Sequence, residues 1–329
     1  MLEYFRKNQQ VFITFIIFYC LLSVYTAKYF QGKSIFTPIP FHLPLFGGWY
    51  NKLVEFEVTR WLIPLLTTVL ILVLGFLLVR ISISYLILPQ RAQFPALFYV
   101  TTASFVLHQQ MFSLALPASV FLLLALARIV GSIEINRLSV RFLDAGLLLA
   151  LGGLLYVNIL FLIPFLWLAQ IILRQMKRRE IFFTTIGVLL PFVYLFSIYF
   201  LFGKSVKLSL DNIIEWIRLR KVIDYNWVFL SGLGGYVLIM LIANFFVLRK
   251  FISAKIISRK LLQLFFYLFL NILLIFLLIP SAGIEIIFLG AVPVSILLSI
   301  YFSECRNNWF NRILFILTLL IPLLVQIFG

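Results

Sequence analysis

Long apolar runs separated by short polar stretches make up most of the chain, and each run is long enough to form a helix. The pattern contains eleven such segments. They are Val11–Phe30, Trp61–Val79, Phe94–Leu107, Leu114–Ile129, Phe142–Tyr156, Ile159–Leu173, Ile181–Phe202, Trp227–Leu248, Leu261–Ile279, Ile284–Phe302 and Ile313–Phe328. We therefore predict an all-α, polytopic membrane protein of about 11 transmembrane or partly spanning helices.

The stretch from Arg141 to Arg174 departs from the regular pattern, because a polar break at Asn158 divides it into two short apolar runs. A helix from Asp144 to Tyr156 would be about 20 Å long, whereas the hydrocarbon core of a membrane is about 30 Å thick. Arginine flanks both runs on the same side, so we predict a helical hairpin that turns at Asn158. Irregular backbone at membrane depth survives only where it is buried in protein or lines a wet cavity. The hairpin thus predicts an outward-opening cavity.

Composition and charge restrict the class of protein. Apolar residues make up 64% of the chain and charged residues 12%, against about a quarter charged in soluble domains. The net charge of +16 lies in short loops between apolar runs, and no nucleic-acid-binding motif accompanies it. With the N-terminus in the cytoplasm, 18 of the 27 Lys and Arg residues lie on the inner side, which favours an N-in, C-out orientation.

Residues 1–329 are interpreted as a single integral membrane domain. Its first half, 1–203, contains the short segments that would form the cavity and carries the outer loop 28–60. The remainder, 204–329, is interpreted as supporting helices, with an amphipathic helix predicted in the outer loop 204–226.

Acidic residues in or near the membrane are the first candidates for function, because burying them is costly. Asp144 is predicted to cap the start of the fifth segment and to pair with Arg141, a structural role. Glu285 lies in the first turn of the tenth segment, where the same capping role competes with a functional one in unusually apolar surroundings. Glu55 and Glu57 are the acids of the first outer loop. They are candidate catalytic groups, although solvated side chains would give the same pattern.

Several uncharged polar and basic residues are candidates for binding a substrate at the predicted outer surface. Interfacial side chains wetted by solvent are the alternative interpretation of this group. Its members are His108, Gln109, Gln110, Asn158, Arg218, Arg220 and Lys221, with Glu285 as a further candidate. No HExxH, CxxC, GxxxxGKS or GxSxG pattern occurs, so neither a metal nor another cofactor is predicted.

Four blocks of sequence carry a resemblance to a known family. They read LPQRAQFPALFYV, PASVFLLLALARIV, FLDAGLLLALGGLLYVNILFLIPFLWLAQIILR and KRRE followed by LLPFVYLFSIYFLFG. Over Leu88–Gly203 the chain resembles an uncharacterised family of multi-pass inner-membrane proteins of Bacteroidota. The resemblance implies a location in the bacterial inner membrane and brings no known activity.

More distantly, the order of parts is similar to the membrane half of C-type glycosyltransferases, which use polyprenyl-phosphate sugars. Those enzymes have a large first outer loop, short paired helices around an outward cavity, and a helix start like Asp144-Ala145-Gly146. They also carry a catalytic acid soon after the first span, whereas Lys28–Tyr50 contains no Asp or Glu. Only Glu55 and Glu57 could serve as the base for an acceptor hydroxyl.

Three functions remain open on the sequence. The first is a glycosyltransferase-like protein that binds or uses a polyprenyl-phosphate-linked sugar or a lipid head group. The second is a non-enzymatic subunit or scaffold of an envelope export, motility or assembly complex, with other inner-membrane proteins as partners. The third is a transporter, because broken helices near mid-membrane are also typical of transporters. Membrane lipids are expected partners in each case, and nucleic acid in none.

Overall fold

The computed structural model describes residues 9–30, 59–85, 93–109, 112–132, 138–173, 178–201, 214, 226–250, 256–305 and 308–328. Within these residues the chain forms eleven α-helices and two short 3-10 helices. The helices are α1 (Gln9–Phe30), α2 (Thr59–Ser84), α3 (Phe94–Gln109), α4 (Ala115–Gly131), α5 (Leu138–Leu155), α6 (Ile163–Leu173), α7 (Arg178–Leu201), α8 (Trp227–Lys250), α9 (Ile256–Leu278), α10 (Ile287–Glu304) and α11 (Trp309–Phe328). The predicted all-α architecture is confirmed, and so is the predicted number of helices among the described residues.

Six of the described helical stretches are long and apolar enough to cross a membrane. They are Leu62–Ser84, Arg179–Leu201, Trp227–Phe246, Ile257–Leu278, Ile284–Glu304 and Trp309–Phe328. Their length and apolar composition identify the chain as a membrane protein. Shorter apolar helices of 10–17 residues include Phe94–Leu107 and Ala115–Gly131. The N-in, C-out orientation and the number of crossings stay predictions.

The centre of the bundle is formed by α3 and α10, which pack against each other. In the most apolar part of Ile284–Glu304, 83% of the residues are buried, whereas the corresponding values for the other five long stretches lie between 28% and 44%. Those five therefore offer much of their surface to lipid, while α10 is enclosed by protein. A helix apolar on all sides is expected in such a buried position.

Aromatic side chains fill the contact between the central helices and their neighbour α11. The rings of Phe98 and Phe302 stack with centroids 5.2 Å apart, and Phe315 meets Phe302 edge-to-face at 5.4 Å. Phe12 of α1 approaches Phe94 edge-to-face at 5.3 Å. Offset and edge-to-face pairs of this kind add to the stabilisation from buried area, so the core is held partly by ring geometry.

Two glycines allow the backbones of α5 and α7 to come into direct contact. A Cβ atom added to Gly146 would lie 2.5 Å from the backbone oxygen of Thr184, and one added to Gly187 would lie less than 3.0 Å from that of Leu143. Small residues at such crossings are how membrane helices gain van der Waals contact without a hydrophobic driving force. The crossing fixes the start of the hairpin against the next long helix.

Candidate functional site

Three turns of the bundle meet in a group of buried polar side chains, which we call the turn network. Its members are Ser113, Tyr156, Asn158, Ser281 and Glu285, and each has at most 5% of its surface exposed. Ser113 precedes α4, Tyr156 and Asn158 lie between α5 and α6, and the other two lie between α9 and α10. Residues from both predicted halves of the chain thus contribute to one site.

The turn of the hairpin follows from its local sequence. The chain leaves α5 at Tyr156, whose backbone is extended with φ −136° and ψ 101°, and continues as a 3-10 helix over Val157–Leu162. The Leu160 side chain packs so closely on Gly153 that a Cβ atom there would lie less than 3.0 Å from it. The predicted break near Asn158 is therefore confirmed, and the glycine allows the tight return.

Asn158 links two turns through its amide. Its Nδ2 donates a hydrogen bond to the Tyr156 hydroxyl at 3.1 Å, and its Oδ1 accepts one from the Ser281 hydroxyl at 2.9 Å. Both ends of the amide are thereby used, as buried polar groups require. The amide ties the hairpin turn to the chain that leads into α10.

Glu285 brings a carboxyl group into the same network. It lies in the short 3-10 helix Ile284–Ile286, which follows Gly283 and leads into α10. The Ser113 hydroxyl lies 3.4 Å from Glu285 Oε2 as a donor, and the Tyr156 hydroxyl also hydrogen-bonds to the carboxyl group. The network thus places carboxyl, amide, phenol and hydroxyl groups together, which are the groups that bind sugar hydroxyls and polar head groups.

The predicted cap at Asp144 is wrong. Helix α5 begins at Leu138, so Asp144 lies in its second turn and has no role at the helix start. The helix includes Leu138 and Val140, which precede Arg141 in the sequence. Polar side chains such as those of Arg141 and Asp144 do not end a helix when they lie on a partly exposed face. The carboxylate of Asp144 forms its ion pair with Nε of Arg128 on α4, at 3.9 Å. Arg141 instead directs its guanidinium towards Gly131 at the end of α4.

Replacing Asp144 by Asn should change stability by less than about 1 kcal/mol, because the Arg128–Asp144 pair is long and its side chains are 55% and 37% exposed. A double-mutant cycle with Arg128→Gln, read from thermal unfolding of the purified protein in detergent, measures the coupling. A coupling energy above about 2 kcal/mol would contradict a weak surface pair.

Of the remaining predicted site residues, the structure describes only the backbones of His108 and Gln109. Helix α3 continues to Gln109, so the backbones of His108 and Gln109 belong to its last turn and not to a loop. The other predicted residues lie outside the described residues, and they are Glu55, Glu57, Gln110, Arg218, Arg220 and Lys221.

Sequence reasoning selected Asn158 and Glu285 separately and missed three of their partners. Ser113 and Ser281 are short hydroxyl residues next to helix ends, a pattern shared by many residues without a special role. Tyr156 ends an apolar run and resembles any interfacial tyrosine. The sequence pattern that could have identified the site is that all five residues of the turn network lie next to breaks between helices on the predicted outer side.

Comparison with known proteins gives a family and no activity. No curated protein and no solved structure matches the chain. Residues 45–328 match a family of unknown function, DUF6427. This range extends well beyond Leu88–Gly203, over which the sequence resembled an uncharacterised family, and it includes all the residues of the turn network. The chain therefore belongs to the family of unknown function DUF6427.

Proposed function

We propose that this protein binds an isoprenoid-phosphate-linked sugar or a similar lipid head group at the outer face of the bacterial inner membrane, in a glycosyltransferase-C-like arrangement. The observation that carries the proposal is the turn network, in which a buried carboxyl group and a buried amide meet at the ends of helices. Buried ionisable groups within membrane proteins commonly mark binding sites or pathways.

The chemistry of the network suits a ligand rich in hydroxyl groups. The Glu285 carboxyl group and the Asn158 carbonyl accept hydrogen bonds, whereas the Tyr156 and Ser281 hydroxyls can both donate and accept. In the proposal these groups take up the sugar, and the short helices around them enclose an outward-opening cavity.

The phosphate and the chemical step are assigned to residues of the two outer loops. Arg218, Arg220 and Lys221 supply positive charge for a phosphate, which basic side chains bind by charge-assisted hydrogen bonds. Glu55 or Glu57 would remove the proton from an acceptor hydroxyl if transfer takes place. The sequence lacks the acid that C-type glycosyltransferases carry earlier in this loop, so binding is the central claim and transfer is a separate one.

Phosphate recognition predicts that a photoreactive isoprenyl phosphate will crosslink to the purified protein in nanodiscs much more strongly than the matching isoprenol. Neutralising Arg218, Arg220 and Lys221 together with Gln should lower this crosslinking at least tenfold, since the phosphate would lose its counter-charge. Replacing Arg312 by Gln is the matched control, because this basic residue belongs to α11 and not to the outer loop 204–226. Mass spectrometry of the crosslinked product measures both.

Equal labelling by the phosphate and the alcohol would overturn the proposal. Recovery of a stable set of other membrane proteins from native membranes, together with the absence of phosphate preference, would favour the scaffold function instead. Glu55→Gln combined with Glu57→Gln separates binding from transfer, because crosslinking should persist while transfer to an acceptor is lost.

A further inference from the structure

A second buried polar group lies at the end of α6 away from the turn network, and we call it the Glu180 cluster. It consists of Gln170 on α6 with Glu180 and Thr184 on α7. All three side chains are at least 96% buried. Glu180 and Thr184 are four residues apart on one helix, so they lie on the same face.

The cluster contains more acceptors than donors. The Gln170 amide Nε2 donates to the Thr184 hydroxyl, and that hydroxyl donates to the backbone oxygen of Glu180 at 2.9 Å. Two buried acceptor oxygens, Gln170 Oε1 and Glu180 Oε2, then have no hydrogen-bond donor among the described residues. Buried oxygens of this kind are rare in native proteins, and each calls for an explanation such as a bound ion.

Two cationic side chains on the helices next to the cluster have other partners. The Lys260 ammonium donates to the backbone oxygen of Leu173 at 2.7 Å. The guanidinium of Arg179 lies over the ring of Phe183, 5.5 Å from its centroid. Among the described residues, the ion pair with a nitrogen–oxygen distance below 4.0 Å is formed by Arg128 and Asp144. Neither Lys260 nor Arg179 therefore neutralises Glu180.

The two unpaired oxygens point to a small hard cation as the missing partner. Carboxylate, amide and hydroxyl oxygens are the ligands that hard cations take in proteins. The cluster has a single carboxyl group, and the described residues contain no group of three His, Cys, Asp or Glu side chains that could hold a metal. A divalent ion would keep an uncompensated charge in these apolar surroundings, which is costly, whereas a monovalent ion balances one carboxylate.

We propose that Glu180, Gln170 and Thr184 form a binding site for an alkali-metal cation between α6 and α7. Binding would cross-link the return arm of the hairpin to the next long helix, and it would stabilise the folded state by mass action. The proposal stands independently of ligand binding at the turn network.

Thermal unfolding of the full-length protein in nanodiscs tests the proposal, with sodium chloride or potassium chloride compared with N-methylglucamine chloride at the same ionic strength and pH. We expect a saturable rise of several degrees in the unfolding temperature with at least one alkali ion. Glu180→Gln keeps the volume of the side chain and removes its charge, so it should fold and lose this rise. Asp144→Asn is the matched control, and it should respond like the wild type.

Gln170→Leu gives a second test if Glu180→Gln fails to fold. It removes one of the three oxygen ligands, and the alkali concentration for half-maximal stabilisation should increase at least tenfold. Identical unfolding temperatures in all three salts would overturn the proposal, since a buried water would then account for the unpaired oxygens. A full alkali response in Glu180→Gln would overturn it as well.

Discussion

A single methyl group placed at Gly187 should lower the unfolding temperature of the protein and reduce the yield of correctly folded material. The added Cβ would meet the backbone oxygen of Leu143 at less than 3.0 Å, and a backbone atom has no alternative rotamer into which it can move. Overpacking of this kind costs about 1–3 kcal/mol. The higher helix propensity of alanine stabilises the folded state by at most about 1 kcal/mol, so the net effect on the free energy of unfolding is destabilising. Fluorescence-detected size exclusion after heating measures it.

Gly234→Ala is the matched control for this experiment. Gly234 also lies in a long apolar helix, α8, but nothing lies within 4 Å of a Cβ atom built on it. The same chemical change should therefore be neutral or stabilising there. Gly146→Ala should act at the same crossing as Gly187→Ala, so the double variant should lose less than the sum of the two. Equal losses for Gly187→Ala and Gly234→Ala would show that the crossing tolerates separation.

The helices of this protein could be predicted from the sequence because apolar runs in a membrane chain have few other possible structures. Even the short break in the hairpin was predicted, since Asn158 interrupts two apolar runs. The start of α5 was not, because Arg141 and Asp144 looked like the boundary of an apolar run. A partly exposed helix face tolerates both residues, and the helix begins earlier, at Leu138.

Individual residues of the turn network could be predicted from the sequence, but their contact with one another in the fold could not. Asn158 and Glu285 are separated by more than 120 residues, and apolar periodicity carries no information on which turns meet in space. The Glu180 cluster was missed for a related reason. Glu180 stands next to Lys and Arg residues in the sequence, which suggests a solvated charge, and only the packing of α6 on α7 shows that its carboxyl group is buried.

Replacing Asn158 by Leu should destabilise the protein by about 1–3 kcal/mol, the cost of leaving a buried hydrogen-bonding group without its partner. The Ser281 hydroxyl would lose its acceptor and the Tyr156 oxygen would lose a donor, and both side chains are buried. Leucine has a similar volume, so a cavity contributes little. The free energy of unfolding is compared by thermal denaturation of both proteins in the same detergent.

Two further variants show whether the destabilisation by Asn158→Leu comes from the lost hydrogen bonds of the turn network or from replacing any buried polar side chain. Asn244→Leu makes the same substitution at a buried position of α8, where no described residue donates to the side-chain oxygen, so it should be neutral or stabilising. Ser281→Ala should cost less in the Asn158→Leu background than in the wild type, because the hydroxyl has by then lost its acceptor. A Ser281→Ala effect that is the same in both backgrounds would mean that the 2.9 Å hydrogen bond does not couple the two turns. In that case the polar groups at the three turns would act separately, and a ligand would meet independent side chains instead of one preorganised surface.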